Sequence, residues 1–167
     1  MTKRNFQKFK RNKKDFYKTP KTAVIPLVPH LQKGISFVEP CFGEGDLANA
    51  LVDFGYILKD HSDILSGTDA LGLTTCNGDC FITNPPWNRK ILHPLIENLS
   101  NIAPTWLLFD ADWMHTKQSI PFLPRLIKIV SIGRISWMGN NISGFDNCAW
   151  YLFDLPKTAP TIFVGRT

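Results

Sequence analysis

The 167 residues are enough for one domain, and a hydrophobic content of 44% allows a buried core without disulfides or a structural metal. No apolar run approaches the length of a membrane span, and no apolar segment follows the basic N-terminus, so we expect a cytoplasmic protein without a membrane partner or secretory signal. Residues 1–21 hold nine basic residues against one acidic residue, whereas the remainder holds ten against thirteen. This asymmetry favours a polyanionic partner.

Residues 1–18 are predicted to form a flexible basic arm. Aromatic side chains alternate with its charges and could stack on bases, which favours nucleic-acid contact over a tail that only aids solubility. The residues assigned to this contact are Lys8, Lys10, Arg11, Lys13 and Lys14. Residues 19–167 are expected to form a single domain.

From residue 21 onward, segments typical of strands alternate with segments typical of helices. In chain order they are a helix interrupted at Pro26 (21–32), a strand (35–40), a helix (47–54), two strands (56–63 and 79–83), a helix (91–99), a strand (105–110), a loop or short helix (120–126) and three strands (127–132, 149–153 and 162–164). This alternation predicts an α/β fold: a Rossmann-like, mostly parallel open sheet with an antiparallel C-terminal edge strand and helices on both faces.

The first candidate site is the turn at 39–45, which follows the first predicted strand. Its Gly-x-Gly sequence, at Gly43 and Gly45, would let a ligand approach the backbone closely. It lacks the third glycine of the dinucleotide fingerprint, and the flanking acids would repel a pyrophosphate. Those acids suit a cationic ligand such as S-adenosylmethionine, with its sulfonium and ammonium groups. A purely structural tight turn is the alternative.

The second candidate site is Asn84-Pro85-Pro86-Trp87, directly after the strand at 79–83. Two prolines make the backbone rigid and extended, which aims the amide of Asn84 and the carbonyl of Pro85 at one point. Two converging acceptors would hold both hydrogens of an amino group, and Trp87 would offer a flat face to an adjoining ring. The alternative is a proline-rich loop with Trp87 packed on the core. Because both turns follow strands, we expect them at the same edge of the sheet.

The two motifs, in this order and about forty residues apart, resemble those of class I S-adenosylmethionine-dependent amino-methyltransferases of the N6-adenine type. The second motif matches that family's catalytic tetrapeptide: Asn, Asp or Ser, then Pro-Pro, then Tyr, Phe or Trp. The resemblance covers roughly residues 19–155. It implies S-adenosylmethionine as the cofactor and assigns Asn84, Pro85, Pro86 and Trp87 to catalysis.

The resemblance also assigns the cofactor contacts. The residues expected around the methionine part are Glu39, Pro40, Gly43 and Gly45. Asp63 matches the acid that binds the ribose hydroxyls, with Asp60 as a rival, and Asp69 matches the acid beside the adenine. No metal site is expected, because the His residues and the Cys76–Cys80 pair lack the spacing of a ligand set.

These assignments predict methyl transfer to the exocyclic N6 of adenine in nucleic acid, with DNA favoured over RNA. The alternatives are an RNA adenine or guanine amine, a protein glutamine side chain, or a catalytically inactive binding module or partner subunit. Because no segment remains for a separate target-recognition domain, target selection would come from the arm, the loops, a second copy of the chain or a helper subunit. The loop at 138–147 could contact the target, although packing is the preferred role for Trp137, Phe145 and Trp150 beside it. Asp110 and Asp112 could shape the target pocket or be ordinary loop acids.

Overall fold

The structure, a computed structural model, describes residues 18–138, 142, 144–157 and 159–166. Most of the predicted arm at 1–18 lies outside these described residues. So do the five side chains assigned to nucleic-acid contact, which are Lys8, Lys10, Arg11, Lys13 and Lys14.

The described residues contain all the strands and helices expected from the sequence. The strands are β1 (Ser36–Glu39), β2 (Ile57–His61), β3 (Cys80–Thr83), β4 (Thr105–Asp110), β5 (Leu126–Arg134), β6 (Asn147–Phe153) and β7 (Ile162–Val164). The α-helices are α1 (Lys21–Val24), α2 (Asp46–Asp53) and α3 (Arg89–Ile102). The 3-10 segments are Ile25–His30, Ile64–Ser66, Ala70–Gly72, Ala111–His115 and Lys117–Arg125.

The first helix is interrupted where the sequence predicts it. α1 ends at Val24 and the chain continues as the 3-10 segment Ile25–His30, which contains Pro26 in its first turn and Pro29 near its end. Proline lacks the N–H that an α-helical hydrogen bond requires, so the α-helix cannot continue through this segment.

All seven strands belong to one sheet with the order β2-β1-β3-β4-β6-β5-β7. β1 pairs in parallel with β2 and β3, and β3 pairs in parallel with β4. β6 runs antiparallel to both of its neighbours, β4 and β5, whereas β7 pairs in parallel with β5. The predicted fold class, an α/β protein with a Rossmann-like and mostly parallel sheet, is confirmed.

The position of the antiparallel strand differs in detail from the expectation. It was expected at the C-terminal edge, but β6 lies inside the sheet and β7 forms that edge. Burial explains the difference, since all of β6 is buried or half-buried except Asn147, while Ile162 and Phe163 of β7 are 53% and 60% exposed. A strand as apolar as β6 is stabilised by neighbours on both sides and by cover on both faces.

Successive side chains of a strand point to opposite faces of the sheet, so the strands contribute to two hydrophobic cores, one on each face. Phe37 and Ile82 point to the face covered by α1 and α2. Phe81 and Leu107 point to the face covered by α3. Helices therefore cover both faces, as the sequence predicts, and the central strands are shielded from water on each side.

This topology brings the two candidate motifs to the same edge of the sheet. β1, β3 and β4 run in the same direction, so their last residues, Glu39, Thr83 and Asp110, lie along the same edge. In an open parallel sheet, this carboxyl edge is where ligands bind.

Candidate active site

A cavity of about 210 Å³ opens at the carboxyl edge of the sheet. Residues of both sequence motifs line it: Glu39, Pro40 and Gly43 from the first motif, and Asn84 and Pro86 from the second. The predicted proximity of the two motifs is therefore present in the structure. Their roles in cofactor binding and catalysis remain predictions.

The turn after β1 depends on two glycines with left-handed backbones. Gly43 has φ 57° and Gly45 has φ 83°, and Gly45 forms the N-cap of α2. A Cβ at Gly45 would lie 2.6 Å from Cζ of Phe42. The Phe42 ring lines the cavity and stacks on His61 with ring centroids 4.0 Å apart. Because residue 45 has no Cβ, the Phe42 ring can pack directly against the backbone at the start of α2.

Glu39 places a buried carboxyl group in the cavity wall. The residue is 2% exposed, and none of the described residues provides a hydrogen-bond partner for its Oε2. Burial raises the pKa of Glu39 to about 9, with Asp46 and Asp63 adding smaller upward contributions. An unsatisfied buried oxygen in a cavity wall is suited to a ligand that brings hydrogen-bond donors or positive charge.

Asp63 follows β2 and lines the same cavity. Its Oδ2 accepts a hydrogen bond from the N–H of Gly43 at 2.8 Å, and its Oδ1 accepts one from Leu65 at 2.8 Å. The carboxylate therefore holds the turn at 39–45 against the end of β2. Asp60, its rival for the ribose role, is exposed within β2 and lies outside the cavity lining.

Asp69, like Gly45, is a predicted cofactor residue that lies outside the cavity lining. Its carboxylate accepts the N–H of Leu71 at 2.9 Å and caps the 3-10 segment Ala70–Gly72. Its neighbour Ala70 lines the cavity, but Asp69 itself does not.

The Asn84 side chain is held at both ends. Its Nδ2 donates to Oγ1 of Thr19 at 3.1 Å, and its Oδ1 accepts from the indole N–H of Trp87 at 3.3 Å. Pro85 is buried, whereas Pro86 reaches the cavity wall. The same indole N–H lies 3.2 Å from the carbonyl oxygen of Leu108 in β4. The Trp87 ring is half-buried, and its N–H edge is hydrogen-bonded to the sheet.

Lys18 and Thr19 are cavity residues that sequence reasoning did not assign to the site. Thr19 is 6% exposed, and Lys18 forms an ion pair with Glu44, which also lines the cavity. That partner and Asp46 raise the pKa of the exposed Lys18 ammonium. The contact between Thr19 and Asn84 spans 65 residues, so no local spacing could have indicated it.

The other residues considered at this edge have structural contacts. Asp110 forms an ion pair with Arg89 and accepts the N–H of Trp113 at 2.8 Å, which favours a structural role. Trp150 is fully buried and its indole N–H donates to the carbonyl of Ala23 at 2.8 Å. Packing is therefore its role, as preferred from the sequence.

Two aromatic residues, Trp137 and Phe145, lie at the loop after β5. The ring of Trp137 meets that of Trp87 edge-on, with centroids 5.8 Å apart. Phe145 is 54% exposed. Of the loop at 138–147, residues 139–141 and 143 lie outside the described residues, so its predicted contact with the target stays a prediction.

Among the described residues, no group of three or more His, Cys, Asp or Glu side chains could hold a metal ion. In the same part of the chain, none of the helices has the length and apolar character needed to cross a membrane.

The cavity as a whole combines acidic and apolar surfaces. Carboxyl groups come from Glu39, Glu44 and Asp63, and apolar side chains come from Phe42, Ile64, Leu65 and Ile91. Such a lining suits a ligand that carries positive charge on one part and a flat apolar ring on another.

Comparison with known proteins identifies the fold. At the level of sequence, no family model and no curated relative matches the chain. In structure, the chain is similar to a candidate RNA methyltransferase of Pyrococcus horikoshii, with a TM-score of 0.58, 12% identity, and coverage of 84% of this chain and 87% of the other. A dimethyladenosine transferase of Plasmodium falciparum gives a TM-score of 0.53, 14% identity, and coverage of 85% and 63%.

A third similar structure is a modification subunit of a candidate type I restriction enzyme from Vibrio vulnificus. It gives a TM-score of 0.51 and 13% identity, and covers 90% of this chain. The match extends over 47% of that subunit, so the present chain spans about half its length. At these identities the likeness concerns the fold alone, and the chain has a Rossmann-like methyltransferase fold.

Proposed function

We propose that this protein is a methyltransferase that uses S-adenosylmethionine to methylate the exocyclic N6 of adenine in nucleic acid. The observation that carries the proposal is that Glu39, with its unpaired buried oxygen, and Asn84, the first residue of the tetrapeptide, line one cavity. The methyltransferase fold of the chain and the resemblance of its two motifs support it.

The cavity residues fit S-adenosylmethionine. We assign the unpaired Oε2 of Glu39 to the cofactor's ammonium group, because ionisation of this buried carboxyl would then be compensated by a positive charge. Asp63 would accept the ribose hydroxyls, since each carboxylate oxygen can accept more than the one N–H it receives here. The exposed side chains of Ile64 and Leu65 would cover the adenine ring. When bound, the cofactor supplies a methyl group on a sulfonium centre.

Asn84 and Pro85 would bind the target amine. The exocyclic amine of adenine is a poor nucleophile because its lone pair is delocalised into the ring. Acceptance of its two hydrogens by Asn84 Oδ1 and the Pro85 carbonyl would turn that lone pair toward the methyl donor. The same two dipoles would stabilise the positive charge that develops on nitrogen as the N–C bond forms and the S–C bond breaks. The demethylated cofactor would leave as a neutral thioether, and the methylated amine would release one proton to solvent. A target within a duplex would have to be flipped out of the stack to reach the cavity.

DNA is our first candidate substrate and RNA the second. The resemblance of the tetrapeptide to that of N6-adenine enzymes, with Trp87 in the last position, favours adenine. The modification subunit of a restriction enzyme among the structural neighbours is consistent with DNA, whereas the RNA methyltransferase among them is the reason to retain RNA. Phosphate contacts by the predicted arm would serve either polymer.

The test is incubation of the full chain with methyl-labelled cofactor and separate pools of DNA, RNA and protein, followed by mass spectrometry of the digested nucleosides. We expect label in N6-methyladenine, and no label with Asn84→Ala. Calorimetry should show that Asn84→Ala still binds S-adenosylmethionine. Label confined to protein, or full activity of Asn84→Ala, would refute the proposal, and a chain that does not bind the cofactor would instead be an inactive module.

A further inference from the structure

The side-chain amide of Asn84 has two ends of almost the same shape, and only one of them can accept a hydrogen from a target amine. Oδ1 is an acceptor, whereas Nδ2 is a donor that would face the donor hydrogens of the target. Asparagine at this position therefore requires a fixed orientation, which a symmetric carboxylate would not. The contacts around Asn84 supply that orientation.

We propose that Trp87 and Thr19 are positioning residues that fix the orientation of the Asn84 amide. The indole N–H of Trp87 is a donor only, and it lies 3.3 Å from Oδ1 of Asn84. A flipped amide would set its NH2 group against this N–H, which would lose a hydrogen bond and bring two donors together. The indole nitrogen therefore selects the orientation in which Oδ1 faces it.

The indole N–H is itself held in place by the sheet. Its second acceptor, the carbonyl of Leu108, lies 3.2 Å away within β4. The half-buried ring of Trp87 also packs against both hydrophobic cores. The Asn84 amide is therefore oriented by an indole N–H that is itself fixed. Oδ1 keeps a second lone pair for the target amine.

Thr19 completes the arrangement at the other end of the amide. Its Oγ1 accepts from Nδ2 of Asn84 at 3.1 Å, and the residue is 6% exposed. A hydroxyl can donate or accept, so Thr19 adapts to the orientation that Trp87 selects and strengthens it. Thr19 also directly precedes Pro20, the N-cap of α1, so the start of the first helix is tied to the tetrapeptide.

This inference rests on the proposed function. It explains why the tetrapeptide ends in tryptophan, which stacking on a base alone would not require. A phenylalanine in the last position would also present a flat ring to a base, but it has no N–H. When the first residue is asparagine, tryptophan both presents its ring to the base and orients the amide. When the first residue is aspartate, the indole N–H is no longer needed.

The kinetic test compares Trp87→Phe in two backgrounds. With Asn84 present, we expect kcat to fall about tenfold, equivalent to about 1.4 kcal/mol, while the KM for S-adenosylmethionine changes less than twofold. On an Asn84→Asp background, Trp87→Phe should lower kcat less than threefold, because both ends of a carboxylate are acceptors. An equal loss in the two backgrounds would overturn the proposal and assign Trp87 to ring contact alone.

Thr19 provides a matched pair of variants. Thr19→Val removes the hydroxyl at nearly constant volume and should lower kcat about threefold, whereas Thr19→Ser should retain activity. Equal effects of the two would indicate packing rather than a hydrogen bond. Thermal unfolding of each variant verifies that it is folded.

A measurement that needs no substrate separates this inference from the proposed function. In proton–nitrogen NMR spectra, the side-chain NH2 signals of Asn84 are identified by their loss in Asn84→Asp. We expect one of the two hydrogens to be protected from exchange in the wild type and to lose protection in Trp87→Phe. Unchanged signals would refute the orienting role, even if no substrate were methylated. If no methyl group were transferred but the NMR signals changed as expected, only the proposed function would be refuted.

Discussion

Asp63 accepts a hydrogen bond from the backbone N–H of Gly43 at 2.8 Å, which ties the end of β2 to the glycine turn after β1. Its other carboxylate oxygen accepts from Leu65, so the same side chain also caps the 3-10 segment Ile64–Ser66. The residue that the resemblance assigns to the cofactor ribose is thus also a structural support of the cavity wall. A variant at this position has to separate the two roles.

Asp63→Asn should weaken cofactor binding at least tenfold, whereas Asp60→Asn should change it less than twofold. The asparagine NH2 group would face one of the two backbone N–H donors, and the charge would be lost. Asp60 lies outside the cavity lining, and its Oδ1 accepts the N–H of its neighbour His61. Calorimetry with S-adenosylmethionine measures both.

A cofactor analogue without ribose hydroxyls separates direct contact from structural support. The wild type should bind this analogue more weakly than the cofactor, and Asp63→Asn should no longer distinguish the two. If Asp63→Asn retained the full preference for the hydroxyls, the residue would be a support only and the ribose assignment would be wrong.

Cofactor binding should release close to one proton per site at pH 7. Burial raises the pKa of Glu39 to about 9, so its carboxyl is protonated before binding, and an ammonium ion beside it would favour the ionised form. Calorimetry in buffers of different ionisation enthalpy measures the release. Glu39→Gln, which cannot ionise, should bind more weakly and lose this release. Equal proton release by the two proteins would contradict the pairing of Glu39 with the ammonium.

The same carboxyl should make the cofactor-free protein less stable as the pH rises. The unfolded chain loses the Glu39 proton near pH 4.5, whereas the folded chain retains it to about pH 9. Between these values the folded state binds more protons, so this group lowers the free energy of unfolding by up to about 1.4 kcal/mol per pH unit. Urea unfolding at pH 6 and pH 8 should show a decline in the wild type that is smaller in Glu39→Gln. Parallel declines would assign the effect to other groups.

The sequence predicts most of the fold because proline and glycine mark the ends of its elements. Gly55 ends α2, and the tetrapeptide beginning at Asn84 ends β3, in agreement with the sequence pattern. The position of β6 between β4 and β5 could not be predicted in this way. It results from pairing of distant residues, such as Trp106 with Leu152, which leaves no local signal.

The candidate site shows the same division. The proximity of Glu39 and Asn84 followed from the rule that parallel strands end at one edge of a sheet. Thr19 was missed because its contact with Asn84 depends on how the start of α1 packs across the sheet. The resemblance assigns Asp69 to the adenine, but its spacing from the first motif runs through a loop, and loop spacing does not determine where a side chain points. In the structure its carboxylate caps a 3-10 segment.

Gly45→Ala should damage the cofactor site more than Gly55→Ala, although both glycines flank α2 and have similar backbones. Their φ values are 83° and 88°, so an alanine at either position is strained by a comparable amount, about 1 kcal/mol. A Cβ at 55 would meet no atom of the described residues within 4 Å, but a Cβ at 45 would displace Phe42 from its stack on His61. We expect cofactor affinity to fall about tenfold for Gly45→Ala and less than twofold for Gly55→Ala. Equal affinities by calorimetry would show that the Phe42 ring does not shape the site.

Removal of residues 1–17 should weaken nucleic-acid binding and flatten its dependence on salt, while cofactor affinity stays unchanged. This truncation retains Lys18, whose ion pair with Glu44 lies at the cavity. Each phosphate contact contributes about 0.9 to the magnitude of the slope of log affinity against log salt, so loss of the five assigned basic residues should lower that magnitude by up to about 4.5. Lys33→Ala and Lys59→Ala, at exposed positions outside the arm, are the matched controls and should leave the slope nearly unaltered. Because the arm would act in binding and not in transfer, kcat at saturating nucleic acid should change less than threefold. A truncated chain with the full salt slope would locate the phosphate contacts on the folded domain instead.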